Sequence, residues 1–168
     1  MAEIKTVHKW IWVWDFDKEE EWLNQMANEG WALISVGFAR YTFEKCEPGE
    51  YTIRLEMHER DENYISFMEG IGAEYVGRMV QWIYFRRKSE YGPFDIFSDI
   101  DSKIGHLDRI GKMLALIGAA NLIIGVVNSL GPSHLGWINL LCATLLMYGL
   151  GRIHGKKEYL ERERRLRE

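Results

Sequence analysis

Arg54, Glu56 and His58 alternate along one short segment and are the side chains best spaced for acid–base chemistry. Alternate residues of a β-strand lie on the same face, so these three would be neighbours there. A carboxyl group and an imidazole side by side could exchange protons with a bound substrate. Alternating polar residues are also typical of the solvent-facing side of a strand, and we favour this interpretation. The sequence therefore predicts no catalytic residues.

Other catalytic and metal-binding patterns are missing from the sequence. The five histidines show no HExxH or comparable spacing. There is no GxSxG motif and no phosphate-binding glycine loop. The two cysteines, Cys46 and Cys142, do not lie in a metal-ligand spacing. We therefore expect neither an enzyme nor a bound metal or cofactor.

Aromatic residues at alternate positions of two predicted strands indicate a binding surface, and this pattern is clearer than any catalytic or metal-binding one. If Ile11 and Val13 point inward in the first strand, Trp10, Trp12 and Trp14 point outward. If Ile83 and Phe85 point inward in the last strand, Trp82 and Tyr84 point outward. A middle strand contributes polar side chains to the same side. The predicted open face comprises Trp10, Trp12, Trp14, Arg54, His58, Trp82 and Tyr84, with Glu56 and Arg86 beside them.

This predicted face has three interpretations. Trp, Tyr and Arg are enriched at interaction hot spots, so we favour a surface for self-association or for a regulatory protein. A pocket for an amphipathic small molecule is the second alternative, and an inverted or covered strand face is the third. Stacking of RNA bases is disfavoured, because residues 1–112 hold 14 Lys and Arg against 21 Asp and Glu, a net charge of −7. We expect no direct nucleic-acid partner.

The elements that would position these residues follow a β-α-β-β-α-β order. Apolar residues at helical spacing predict helices over Asp17–Gly30 and Glu62–Gly72. Aromatic and β-branched runs predict four strands, at Lys5–Trp14, Trp31–Glu44, Tyr51–His58 and Tyr75–Arg87. This order is that of a ferredoxin-like fold, with the helices on one side of a single sheet. The fold class predicted for residues 1–90 is thus α+β and ferredoxin-like, in a cytoplasmic domain.

Two uncharged apolar runs, Met113–Leu130 and Leu135–Leu150, follow this domain and are separated by Gly131–His134. As a helix, the first run covers about 27 Å, close to the thickness of the hydrocarbon core of a bilayer. Because the break is short, the two helices must be antiparallel, and residues 113–153 are predicted to form a transmembrane hairpin. A buried helical hairpin in a soluble domain is the alternative.

Lysine and arginine flank the hairpin on both sides, and none lies in its turn. Under the positive-inside rule, we expect both termini in the cytoplasm and the protein in the cell membrane, in contact with lipid. Residues 154–168 are predicted to form a basic cytoplasmic tail, which suits an anionic inner leaflet. Residues 91–112 are predicted to form an amphipathic connector helix that packs on the head, lies along the membrane or forms a coiled coil.

Small and amide residues line one face of the first apolar helix. Gly118, Asn121, Gly125 and Asn128 follow one another at steps of three, four and three residues, and Asn139 in the second run is a candidate partner. Such a stripe favours packing within the hairpin or between copies. No charged residue lies at membrane depth, which disfavours a transport path.

Several short stretches resemble a known family. They are Trp14-Asp15-Phe16, Glu21-Trp22-Leu23, Gly30-Trp31, Arg40-Tyr41-Thr42-Phe43-Glu44, Glu47-Pro48-Gly49-Glu50-Tyr51 and Gly92-Pro93-Phe94. As a set they are similar to the bacterial membrane proteins grouped under "domain of unknown function 2812". The resemblance implies a head of this kind followed by a few membrane spans. It also implies a role beside PadR-type transcriptional regulators, in envelope or drug-stress responses, and it assigns no catalytic or ligand residue.

The function that we expect is therefore that of a non-enzymatic, membrane-anchored regulatory or sensor module that binds a cytoplasmic partner or ligand through the aromatic face. A small homo-oligomeric membrane assembly is the alternative. In that case the protein would be a transport or resistance component, with the soluble head as its assembly domain.

Overall fold

Strands occur only in the N-terminal part of the chain, as far as the computed structural model describes it, that is over residues 3–131 and 135–167. The chain divides into two compact units, Met1–Ile96 and Phe97–Glu168, and we call the first unit the head. The head contains β1 (Ile4–His8), α1 (Phe16–Asn28), β2 (Trp31–Gly37), β3 (Arg40–Lys45), β4 (Tyr51–Met57), α2 (Glu62–Gly70), β5 (Ala73–Met79) and β6 (Trp82–Lys88). The second unit contains α3 (Ile100–Leu130) and α4 (Gly136–Arg167).

The head contains the same β-α-β-β arrangement twice. One antiparallel sheet has the strand order β1-β3-β2, and the other has the corresponding order β4-β6-β5. Gly30 and Gly72 follow the two helices at φ 83° and 84°, a conformation that favours glycine. A bulge interrupts β2 after Leu33 and β5 after Tyr75. Gly30 and Gly72 are 42 residues apart in the sequence, and so are Leu33 and Tyr75. The head therefore consists of two structurally equivalent halves.

The mixed α+β class agrees with the prediction, but the predicted β-α-β-β-α-β order differs from the observed one. The segments predicted as single strands, Trp31–Glu44 and Tyr75–Arg87, each form a hairpin, β2–β3 and β5–β6. Their turns contain Ala39 at φ 49° and Val80 at φ 57°. Such two-residue turns usually contain Gly, Asn or Asp, and these two contain none of them, so the turns were not predictable from the local sequence.

The strand β6 lies in the centre of its sheet and is buried on both faces. Ile83 and Phe85 belong to an apolar cluster with the helix residues Ile65 and Met68. Trp82 and Tyr84, on the opposite face, are also buried. Burial of each large apolar side chain contributes about 1.5–3 kcal/mol, so β6 is a major source of stability for the head.

The second unit consists of the two long antiparallel helices α3 and α4. The predicted connector, residues 91–112, is α-helical only from Ile100, because Asp99 caps the helix there, and together with the first apolar run it forms α3. The second run from Gly136 and the charged tail as far as Arg167 form α4. Ion pairs of 2.7 Å join Asp108 to Lys157 and Asp101 to Arg164, beyond the apolar segments. Both helices are long and apolar enough to cross a membrane. In the most apolar 18-residue segment of each helix, only 28% and 22% of the segment is buried. The predicted turn residues Pro132–His134 lie outside the described residues.

Candidate functional site

Three aromatic side chains form an exposed cluster on the head. Trp10, Trp12 and Phe38, which we call the aromatic cluster, are 55%, 41% and 75% exposed. The Trp10 ring makes edge-to-face contacts with Trp12 and with Phe38, each with a centroid distance of 5.4 Å. Trp12 also stacks on Trp14 at 4.9 Å, and Trp14 is buried. The cluster is therefore exposed to solvent but held in place by a buried ring.

The backbone after β1 determines where these rings lie. The Lys9 N–H donates to the carbonyl of Ala39 at 3.0 Å, which holds this segment beside the β2–β3 turn that carries Phe38. The Asp15 N–H donates to the carbonyl of Trp12 at 2.8 Å and closes the 3-10 turn Val13–Asp15. Two backbone hydrogen bonds thus bring together aromatic residues from different parts of the sequence.

The predicted open face is not formed as expected. Trp14, Trp82 and Tyr84 are only 4%, 5% and 1% exposed. Trp82 packs against Phe16 at a centroid distance of 5.6 Å, because the start of α1 covers this side of β6. Trp10 and Trp12 are exposed, but β1 ends at His8 and they lie outside it. Of the predicted tryptophan and tyrosine residues, these two alone are exposed.

Arg54 contacts a different helix from Glu56 and His58. Arg54 pairs with Glu20 of α1 at 3.4 Å. Glu56 is buried and accepts a hydrogen bond from the hydroxyl of Tyr64, while the His58 ring stacks on Tyr64 at 4.3 Å. The first residue therefore contacts α1 and the other two contact α2, which gives each side chain a packing role.

Glu19 is a buried carboxyl group that sequence reasoning did not single out. Its Oε1 accepts hydrogen bonds from the hydroxyls of Tyr41 at 2.8 Å and Tyr84 at 2.7 Å. Burial raises the pKa of Glu19, and the two tyrosines and the charge of Lys9 oppose this effect. Burial also raises the pKa values of Tyr41 and Tyr84 above their ordinary range, as does the neighbouring carboxylate. Because Tyr41 lies on β3 and Tyr84 on β6, Glu19 links α1 to both sheets.

Lys9 lies close enough to this centre for its charge to act on Glu19. Its Nζ is 4.2 Å from the centroid of the Trp22 ring, a cation–π contact. Burial lowers the pKa of Lys9, and the charge of Glu19 acts in the opposite direction. Among the residues that the structure describes, no group of three or more His, Cys, Asp or Glu is placed to hold a metal ion.

The small and amide residues of the apolar helices lie between α3 and α4. A Cβ added to Gly118 would meet Met147, and one added to Gly125 would lie 2.8 Å from Leu140. The Asn139 Nδ2 donates to the Asn121 Oδ1 at 3.1 Å, from one helix to the other. Asn128, the last member of the predicted stripe, is partly buried. Both glycines permit an approach of the helices that larger residues would prevent.

The comparison with known proteins identifies the family. A family model described as "Protein of unknown function (DUF2812)" matches residues 15–119, which is more than half of the chain. The matched region runs from the start of α1 through the strands β2 to β6 and into α3, and β1 lies before it. No curated protein and no solved structure matches the chain. This chain therefore belongs to the DUF2812 family of proteins of unknown function.

Proposed function

We propose that this protein is a non-enzymatic, membrane-anchored regulatory or sensor module whose head binds a cytoplasmic regulatory protein through the aromatic cluster. The observation that carries the proposal is the exposure of Trp10, Trp12 and Phe38 as one connected group. Tryptophan is among the residues most enriched at binding hot spots, and contiguous exposed aromatic surface is unusual on a soluble domain.

The packing of the cluster also favours binding. Each ring already touches another ring, and the stacking of Trp12 on buried Trp14 restricts its rotation. A partner would therefore lose little side-chain entropy in docking there, which favours affinity. The head is acidic, so we propose a protein partner and not a nucleic acid.

The anchor in this proposal is the pair α3 and α4. Their apolar residues Leu116, Ile123, Val127 and Leu141 are exposed and would contact lipid. Basic residues on both sides of the apolar runs support, under the positive-inside rule, the proposal that the two termini lie in the cytoplasm. A partner of the PadR type, in an envelope or drug-stress response, is what the family resemblance implies.

The experiment is chemical cross-linking of the full chain in native membranes, followed by mass spectrometry. It compares the wild type with the double variant Trp10→Ala/Trp12→Ala and with Phe67→Ala, which removes an exposed ring from α2. Hot-spot aromatics cost about 2 kcal/mol or more each, so the double variant should weaken partner binding by about three orders of magnitude if the losses add.

We expect the double variant to lose cross-links to a protein that the wild type and Phe67→Ala retain. Its circular dichroism spectrum should be unchanged, since both rings are exposed. Retention of the same partner by a folded double variant would contradict the proposal.

A further inference from the structure

Among the described residues, the strand β1 has one edge paired with β3 and one edge without a neighbouring strand. The Lys45 N–H donates to the Glu3 carbonyl at 2.9 Å, and the Lys9 N–H donates to the Ala39 carbonyl at 3.0 Å. The register between these two bonds is regular, so hydrogen-bonded and non-hydrogen-bonded pairs alternate. Lys5 and Val7 thus direct their backbone groups toward β3. The N–H and C=O groups of Ile4, Thr6 and His8 point away from it.

The equivalent edge of the other sheet is covered. Ile53 on β4 donates its N–H to Asn24 Oδ1 at 2.9 Å and accepts from Asn24 Nδ2 at 2.9 Å. The Leu55 N–H donates to Glu20 Oε2 at 3.3 Å. Two side chains of α1 therefore pair with both backbone groups of Ile53 and with the N–H of Leu55 on the outward edge of β4.

No helix covers β1 in this way within the part of the chain that the structure describes. Ile53 corresponds to Ile4, because their partners Arg86 and Glu44 are equivalent positions of the two halves. The whole strand is exposed except for Val7, which is partly buried. An uncovered strand edge is a ready template for another strand.

We propose that β1 is a dimer interface, in which it pairs with β1 of a second copy as antiparallel strands related by a two-fold axis at Thr6. In this register, Thr6 lies opposite Thr6 of the second copy, and Ile4 lies opposite His8. All the outward backbone groups of both strands are then paired. The β1-β3-β2 sheet of one copy and that of the other then form one continuous sheet of six strands, with the order β2-β3-β1-β1-β3-β2.

Charge complementarity favours a second copy as the occupant. In the same register, Glu3 of each copy lies opposite Lys9 of the other, so two opposite-charge pairs flank the strand pair once each Lys9 ammonium turns away from the Trp22 ring of its own chain. Threonine pairs and opposite-charge pairs across antiparallel strands are favourable, each by a modest amount. The edge is therefore complementary to itself, as a two-fold interface requires.

Disulfide cross-linking tests the register directly. Thr6→Cys is introduced into the full chain after Cys46→Ser and Cys142→Ser remove the native thiols, and membranes are treated with a mild oxidant. Directly opposite residues of a hydrogen-bonded pair have Cα atoms about 5.5 Å apart, within the range that a disulfide spans. We expect a covalent dimer from Thr6→Cys and none from Ser66→Cys, an exposed position on α2.

A mixed sample adds a second check on the register. Ile4→Cys and His8→Cys should cross-link when the two variants are produced together, and neither should cross-link alone. A monomeric band from oxidised Thr6→Cys would overturn the proposal, as would equal cross-linking of Ser66→Cys.

Thr6→Pro tests the interface without a thiol. The N–H of Thr6 does not bond to β3, and proline is tolerated on the free side of an edge strand. The variant should keep the head folded and remove the two central hydrogen bonds of the dimer, raising the dimer dissociation constant about 30-fold. Val7→Pro is the control, because it removes a bond to β3 and should unfold part of the head. An unchanged dimer in folded Thr6→Pro would overturn the proposal, and if this variant unfolds, the cross-linking result decides.

Discussion

The guanidinium of Arg86 forms an ion pair with Glu44, although the two residues occupy equivalent positions in the two halves of the head. The Nη1–Oε1 distance is 2.6 Å, and the pair joins β6 of one sheet to β3 of the other. The same Nη1 donates to the carbonyl of Leu33 on β2 at 3.2 Å, while Nε donates to Glu74 on β5 at 2.7 Å. One side chain therefore connects both sheets.

Replacement of Arg86 by alanine is expected to destabilise the head. The side chains of Arg86 and Glu44 are only 15% and 31% exposed, so Arg86→Ala leaves a partly buried carboxylate without its partner. We expect the free energy of unfolding to fall by about 2 kcal/mol, less than for a fully buried pair because solvent screens the charges. Urea unfolding of the full chain in detergent, followed by tryptophan fluorescence, measures this loss.

Arg60→Ala is the matched control, since Arg60 pairs with Glu62 at 2.6 Å on the surface. Its effect should stay below about 0.5 kcal/mol. Equal losses for the two arginine variants would show that Arg86 does not hold the sheets together.

The class and several elements of the head follow from local sequence, but its repeat does not. Both helices are predictable because their apolar residues recur at helical spacing and a glycine follows each helix. The repeat is hidden because equivalent positions differ in chemistry, as Glu44 and Arg86 do. Their opposite charges form an ion pair only when the folded chain brings the two sheets together.

The candidate site was predictable in part. Trp10 and Trp12 are exposed as predicted. The burial of Tyr84 was not predictable from alternation, since helices cover both faces of β6. Phe38 was missed because nothing in the local sequence indicates the turn that carries it, and Glu19 because an acidic residue early in a helix is usually exposed.

The carboxyl group of Glu19 should give the head a pH-dependent stability. Burial raises its pKa above the ordinary value of 4.5 in the folded state. The folded state therefore binds this proton more tightly than the unfolded state does. The stability that the bound proton contributes to the head is lost as pH rises through the raised pKa. Glu19→Gln keeps the neutral form at every pH and can still accept from Tyr41 and Tyr84.

We expect the stability of Glu19→Gln, relative to the wild type, to increase as pH rises from about 4.5 toward neutrality. Urea unfolding at a series of pH values measures the difference. Glu21→Gln, an exposed position on the same helix, controls for the loss of a charge. A stability difference for Glu19→Gln that does not change with pH would show that the carboxyl group is ionised equally in both states.

The close approach of α3 and α4 predicts that Gly125 cannot be enlarged. A Cβ at this position would lie 2.8 Å from Leu140 and 3.1 Å from the carbonyl of Gly136. Gly125→Leu should therefore destabilise the helix pair by about 1–3 kcal/mol. Loss of the amide contact in Asn121→Leu should cost about 0.6–2 kcal/mol.

Thermal unfolding in detergent, followed by circular dichroism, measures both effects. Gly151→Leu is the matched control, because a Cβ at Gly151 meets no atom within 4 Å. A Gly125→Leu variant that unfolds at the same temperature as Gly151→Leu would contradict this packing.

The proposed orientation predicts which segment is accessible from outside the cell. A cysteine placed at Ser133, after removal of Cys46 and Cys142, should react with a membrane-impermeant thiol reagent in intact cells. A cysteine near either terminus should react only after the cells are opened, because the proposed orientation, based on the basic flanks, has both termini in the cytoplasm. Labelling of the termini but not of position 133 in intact cells would reverse the orientation.

The most direct test of the proposed function is a photo-reactive phenylalanine analogue at Phe38, compared with the same analogue at Phe67. Both side chains are exposed, but Phe38 belongs to the aromatic cluster and Phe67 lies on α2. We predict that illumination of cells joins a protein other than the chain itself to position 38 and not to position 67. Trp10→Ala/Trp12→Ala in the same chain should abolish this product. Equal products at both positions, or a product at 38 that survives the double variant, would contradict the account.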